Sequence, residues 1–147
     1  MKDMNFKDLA SVDKNNVWNK PFLKFHNRYL CPCCFYPTLN ERNSYHICGL
    51  CFWEDDGQDD IDADEVLGGP NTDYSLTEAR NNFIKYLTMY RPSDTIAFSR
   101  NETKISEIKE IYDNILKGHE ILKYEDVENE LRKARSLEDK LVKDSIK

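Results

Sequence analysis

Three stretches of this chain space their apolar residues three and four apart, the period of a helix with one buried face. Leu76, Ala79, Phe83, Ile84, Leu87 and Tyr90 make the first. It opens on Ser75-Leu76-Thr77-Glu78, a capping box in which serine and glutamate satisfy free amides, and it has to stop before Pro92. Ile105, Ile108, Tyr112 and Ile115 make the second, between a capping pair, Ser99 and Glu102, and Gly118. The third runs through the lysine- and glutamate-rich stretch from about Tyr124, with Val127, Leu131, Ala134 and Leu141 on one stripe. Before residue 76 the pattern is weaker. Phe6, Leu9, Val17, Trp18, Phe22 and Phe25 are scattered among asparagines and lysines, which predicts one short helix over 4–11 and then a loop. Short extended runs over 36–39 and 44–47 flank Asn40-Glu41-Arg42-Asn43, a turn sequence, and read as a hairpin. Gly68-Gly69-Pro70-Asn71 breaks the chain ahead of the first long helix.

Cysteine placement gives that hairpin a purpose. Cys31 and Cys34 form one C-x-x-C, Cys48 and Cys51 another, and thirteen residues separate the pairs. A tetrahedral zinc ion with Zn–S bonds of about 2.3 Å needs sulfurs less than about 4 Å apart, which a tight C-x-x-C turn supplies. Two pairs at this spacing are the signature of a structural zinc ribbon, so the expectation is one structural Zn2+ on Cys31, Cys34, Cys48 and Cys51. Four thiolates close the coordination shell and leave no open position for hydrolysis. His46, on the second strand beside Cys48, is the alternative ligand. The spare Cys33 reads as a small apolar filler; a redox sensor is the functional alternative.

The expected fold is α+β: a zinc-ribbon β-hairpin with a packed helix, plus a C-terminal helical extension. Its parts are an N-terminal extension (1–26), the ribbon domain with one helix (27–92) and the C-terminal helices (93–147). The chain has 147 residues, 39% hydrophobic and 33% charged, enough for one domain with a modest core. It has no run of about 18 apolar residues to span a membrane, and Met1-Lys2-Asp3-Met4 does not open a signal peptide. Five cysteines without an export signal point to a reducing, cytoplasmic setting.

Net charge is −6, concentrated in one place. Residues 54–65 hold eight acids and no base, and the rest of the chain balances 21 bases against 19 acids. Such a patch repels phosphate backbones and attracts basic partners. The expected partner surface is therefore Glu54, Asp55, Asp56, Asp59, Asp60, Asp62 and Asp64, with Trp53 as an aromatic anchor. An EF-hand beginning at Asp60 fails, because its sixth and twelfth positions are Glu65 and Asn71. Arg80 is expected to tie the first long helix to the ribbon through Glu54 or Asp55.

Cys31-Pro-Cys-Cys34, Tyr45-His-Ile-Cys48, Cys51-Phe-Trp-Glu-Asp-Asp56, Gly68-Gly-Pro-Asn71 and Ser75-Leu-Thr-Glu-Ala-Arg80 together resemble the bacterial cysteine-rich CPCC family. The resemblance spans roughly residues 30–85. It implies a small zinc-ribbon-like domain without a settled biochemical role, whose members are often encoded near bacterial toxin systems, hence an immunity-protein class. The chain departs from the family pattern at Phe35, where glycine is usual, and the helices after Arg91 lie outside it.

The leading expectation is thus a non-enzymatic, cytoplasmic zinc-binding protein that meets a basic toxin domain through its acidic surface. No nucleophile or acid–base set is visible around His26, His46 and His119, and no P-loop, Rossmann or G-x-S-x-G signature occurs. One alternative is a zinc-ribbon adaptor of nucleic-acid or translation machinery, which needs a basic strip such as Lys20, Lys24 and Arg28 with Phe22, Phe25 and Tyr29. The other is a thiol redox protein using Cys31 and Cys34.

Overall fold

A computed structural model describes residues 4–99 and 102–145 of the chain, and the side chains of Glu102 and Ser145 are outside it. Met1, Lys2 and Asp3 of the start, and the Glu102 half of the second capping box, therefore lie outside the described residues. The architecture is α+β, a small three-stranded antiparallel sheet with several helices around a cysteine cluster.

The expected N-terminal helix is a single turn, α1 (Phe6–Leu9), capped by the side chain of Asn5. The loop expected after it is instead most of the sheet. β1 (Ser11–Asp13), β2 (Phe22–Phe25) and β3 (Arg28–Tyr29) pair in that order, with Val12 opposite Leu23 and Lys24 opposite Tyr29. Phe22 and Phe25 face the core at the two ends of β2. Strands of two to four residues are too short to display an alternation, which is why a period-2 reading passes over them. The sheet crosses the 26/27 boundary, since β2 pairs with β3.

The strands expected over 36–39 and 44–47 do not form. Only single bridges remain, Tyr29 with Leu39 and Ile47 with Glu54. The cause is local backbone: Tyr45, inside the second run, and Phe35 and Asn43, immediately before the first and second, all sit near φ +60°, a left-handed conformation that an extended strand does not carry. The first knuckle therefore hangs from the edge of the sheet, held by the Tyr29–Leu39 bridge.

The three long helices follow the apolar stripes. α2 (Leu76–Tyr86) is capped by Ser75, whose Oγ accepts from the Glu78 amide at 3.0 Å. Glu78 does not return the bond; its carboxylate binds Arg91 instead. α2 ends one turn earlier than Pro92 demands, at Leu87 with φ +62°. Ile84 falls on its exposed side, while Leu76, Ala79 and Phe83 are buried. After the short α3 (Thr95–Phe98), α4 (Glu102–Lys117) and α5 (Tyr124–Ser145) pack together as a hairpin. Ile105, Ile108, Tyr112 and Ile115 bury against the stripe of Val127, Leu131, Ala134 and Leu141.

These helices share one core with the cysteines. Phe6 meets Phe25, Tyr36 and Tyr112, with ring centroids 5.1, 5.6 and 6.0 Å away, which joins α1, the sheet, the first knuckle and α4. On the far side α5 lies against the second knuckle. A Cβ on Gly49 would come within 2.3 Å of Glu138 Cβ and 3.0 Å of its Cα, so only glycine admits that approach. No helix among the described residues is long and apolar enough to cross a membrane.

Candidate metal centre

Each C-x-x-C folds as the same knuckle. In the first, Phe35 N–H donates to the Cys31 carbonyl (2.8 Å), Cys31 N–H to the Tyr36 carbonyl (2.9 Å) and Cys33 N–H to Cys31 Sγ (3.4 Å). The second repeats this one for one: Phe52 to Cys48 O (3.0 Å), Cys48 to Trp53 O (2.9 Å), Leu50 to Cys48 Sγ (3.4 Å). The turn needs a left-handed residue just after its second cysteine, and a phenylalanine fills that position in both, Phe35 at φ +62° and Phe52 at φ +73°. Phe35 therefore accepts the strain that glycine would avoid, with its ring covered by Lys7 at 4.2 Å and Arg80 at 4.9 Å.

The two knuckles bring Cys31, Cys34, Cys48 and Cys51 together, with all four sulfurs within 4.8 Å of one another. Cys31–Cys51 and Cys34–Cys48 are 3.6 and 3.7 Å apart. A tetrahedron with metal–sulfur bonds of about 2.3 Å has edges of about 3.8 Å, so this arrangement could hold a metal ion. Amide and hydroxyl donors aimed at sulfur are what a thiolate cage requires. Without a cation, burial pushes the Cys31, Cys34 and Cys51 thiols well up; burial acts on Cys48 too, but hydrogen bonds from the other three thiols hold it down. His46 is exposed and stands outside the four-cysteine group. Cys33 is buried and lies outside the group as well.

Two residues beyond the cysteines complete the surroundings of Cys48. Thr38 Oγ1 donates to Cys48 Sγ at 3.0 Å, and Arg135 of α5 donates to the Thr38 carbonyl at 2.7 Å. Beside them Glu138 is buried, both its oxygens accepting from Tyr112 Oη at 2.7 and 2.8 Å. Its carboxyl is pushed up to about 8, first by burial and next by the charge of Cys48, with Tyr112 and Arg135 opposing. Nothing in the sequence marks Thr38. Glu138 did leave a trace: it sits on the apolar stripe between Ala134 and Leu141, where a charge is out of place.

The acidic stretch divides in two. Trp53 and Asp55 are 0% exposed and cannot meet a partner. Asp55 braces the loop from within, accepting from Arg42 Nε (2.9 Å) and from the amides of Asn43 (2.6 Å) and Gly57 (3.2 Å). Asp59 takes the other arm of Arg42 and caps a 3-10 turn over Asp60–Asp62. Arg80 binds Asp60 at 2.7 Å, in place of the expected Glu54 or Asp55, and donates to the Pro32 carbonyl at 2.8 Å. Asp60, Asp64 and Glu65 remain exposed, Glu54, Asp56, Asp59 and Asp62 half-buried, and Ile61, Val66 and Leu67 stand out among them. Asn71, which the sequence marks only as part of a breaker, has a side chain that pairs with the Glu54 backbone in both directions, at 3.0 and 2.7 Å, and anchors the exit of the second knuckle.

The model of the cysteine-rich CPCC family matches residues 29–104, a stretch containing all five cysteines, the acidic loop and α2, and it runs beyond the expected limit at Arg91 through α3 to the start of α4. No curated protein and no solved structure matches the chain.

Proposed function

The chain belongs to the cysteine-rich CPCC family, and on that premise we propose that it is a non-enzymatic zinc protein that binds a basic protein partner through its acidic face. The observation that carries the metal half is the convergence of four sulfurs from two equivalent knuckles. Zinc is the ion this set suits, because four thiolates in a tetrahedron are a structural zinc shell of the ribbon type. With all four positions taken by sulfur, the ion shapes the chain and performs no hydrolysis.

For the partner half, the support is the outward part of the acidic loop. Asp60 and Asp64 with the half-buried Glu54, Asp56, Asp59 and Asp62 present negative charge, and Ile61, Val66 and Leu67 add apolar area beside it. A basic toxin domain, such as the phosphate-binding cleft of a nuclease, has the complementary charge, and the immunity role carried by the family resemblance fits that pairing. The cytoplasm is the setting this reading assumes. The nucleic-acid alternative loses support from the sheet: Phe22 and Phe25 point into the core and Tyr29 hydrogen-bonds Asp13.

Three measurements test the two halves. Metal analysis of chain purified under reducing conditions should give one zinc per chain, and a value near zero would end the metal reading. Where a neighbouring gene encodes a basic toxin domain, co-expression of the chain with it should restore growth. Asp60→Asn, Asp62→Asn and Asp64→Asn combined should slow association at least tenfold, with a weaker salt dependence than the parent. An association rate indifferent to salt and to these changes would remove the acidic face from the account.

A further inference from the structure

The four sulfurs of the cage are not equivalent. Cys48 receives three donors, from Leu50 N, Cys51 N (3.5 Å) and Thr38 Oγ1. Cys31 receives the Cys33 amide, and Cys51 receives the Trp53 amide at 3.4 Å. Cys34 has no amide or hydroxyl donor among the described residues; its sulfur meets only the other thiols of the cage, Cys48 Sγ at 3.7 Å among them. Each donor drains charge from a thiolate and makes it a poorer nucleophile, so Cys34 keeps the most electron density of the four.

Exposure separates the same residue from the rest. Cys34 is 7% exposed, against 0–2% for the other four cysteines. It is also the one cysteine that lines a cavity of about 430 Å³, within the range of small-molecule sites. Met4, Phe35 and Leu116 form apolar walls there, and Lys109, Asp113 and Lys117 project along one side of α4. Asp113 is already engaged by Lys109 Nζ (2.6 Å) and Tyr36 Oη (2.8 Å). Lys117 is exposed and has no ion-pair partner among the described residues. In a chain of net charge −6 this mouth is a basic spot.

We propose that Cys34 is a modification site, the reactive sulfur of the cage, reached through this cavity by a small soft electrophile that carries an acidic group. The inference rests on the metal reading above. The Cys34 thiolate uses its electron pair to form a sulfur–carbon bond while the bond from that carbon to its leaving group breaks. The leaving group departs with the bonding pair, and no proton moves. The sulfur becomes a neutral thioether, the shell falls to three thiolates, and the ion is released. Lys117 holds the acidic group, and the apolar walls take the carbon body.

Zinc-loaded full-length chain treated with iodoacetate or iodoacetamide, with the modified peptides mapped by mass spectrometry, tests this directly. Cys34 should be alkylated first, one zinc should leave for each Cys34 modified, and Leu116→Trp should slow both reagents by filling the cavity. Relative to a free small thiol, the iodoacetate-to-iodoacetamide rate ratio at Cys34 should be raised about threefold, and Lys117→Glu should abolish that gain. First modification of Cys33 or of another ligand would overturn the proposal and leave the metal reading standing, as would a rate ratio equal to that of the free thiol. A purified chain without metal would instead overturn the metal reading, and this inference with it.

Discussion

Thr38 illustrates how one hydroxyl reaches into the candidate centre. Its Oγ1 donates to Cys48 Sγ, and its carbonyl is held by Arg135, so the residue links a sulfur of the second knuckle to the last helix. A hydrogen bond to a charged acceptor contributes about 1.5–3 kcal/mol. Thr38→Val keeps the shape and removes the donor, so zinc loss to a chelator should quicken by about tenfold, with Thr38→Ser close to the parent. Equal release rates for all three would show that the hydroxyl does not tune the cage. Phe35 and Phe52 make a complementary point. Both occupy backbone that glycine prefers, at a cost of order 1 kcal/mol each, and the duplicated turn persists because its amides and sulfurs need that geometry.

Glu138 gives the α4–α5 hairpin its own pH signature. Its carboxyl rises from the usual range to about 8 in the folded chain, mainly through burial. Between those values the folded state holds a proton that the unfolded state releases, so stability falls as pH rises toward 8, by at most about 1.4 kcal/mol per unit. Thiols freed from the metal on unfolding take up protons in parent and variant alike, so the test is a difference: in urea unfolding of the metal-loaded chain from pH 6 to 8, the parent should lose stability relative to Glu138→Gln, which is neutral throughout and still able to accept from Tyr112. A difference constant with pH would mean that Glu138 is charged when folded. The same hairpin shows what the amino-acid order makes legible. Stripes such as 105-108-112-115 repeat over about three turns and survive any single exception, so α2, α4 and α5 can be read directly. β1, β2 and β3 are too short to repeat, and the hairpin expected at 36–47 is broken by left-handed residues whose sign no side-chain pattern encodes. Among site residues the four cysteines announce themselves by spacing. The division of the acidic run does not, because it depends on Arg42 and Arg80 arriving from elsewhere to claim Asp55, Asp59 and Asp60.

At the scale of the molecule, the cysteines and the helices share one core, so the candidate ion and the fold are linked. Metal release should therefore disturb Trp53, 0% exposed and next to Glu54 at the exit of the second knuckle. Structural zinc in small domains contributes about 10–16 kcal/mol, more than the 5–15 kcal/mol margin of a typical fold. Stripping the ion with a chelator under reducing conditions should abolish the near-ultraviolet dichroism of Trp53 and the tyrosines around it, and restoring zinc should bring it back. An unchanged spectrum and melting temperature after removal would mean that the sulfurs are only packed thiols.

The close seat of Glu138 on Gly49 has a temporal side. Ribosomes add about 5–20 residues each second, and roughly ninety residues separate these two, so the second knuckle emerges several seconds before the helix that will cover it exists. During that interval the nascent thiols are open to water on the side α5 later seals. The proposed ion would load most easily then, and a ribosome stalled before residue 138 would carry a centre still open on the side α5 later seals.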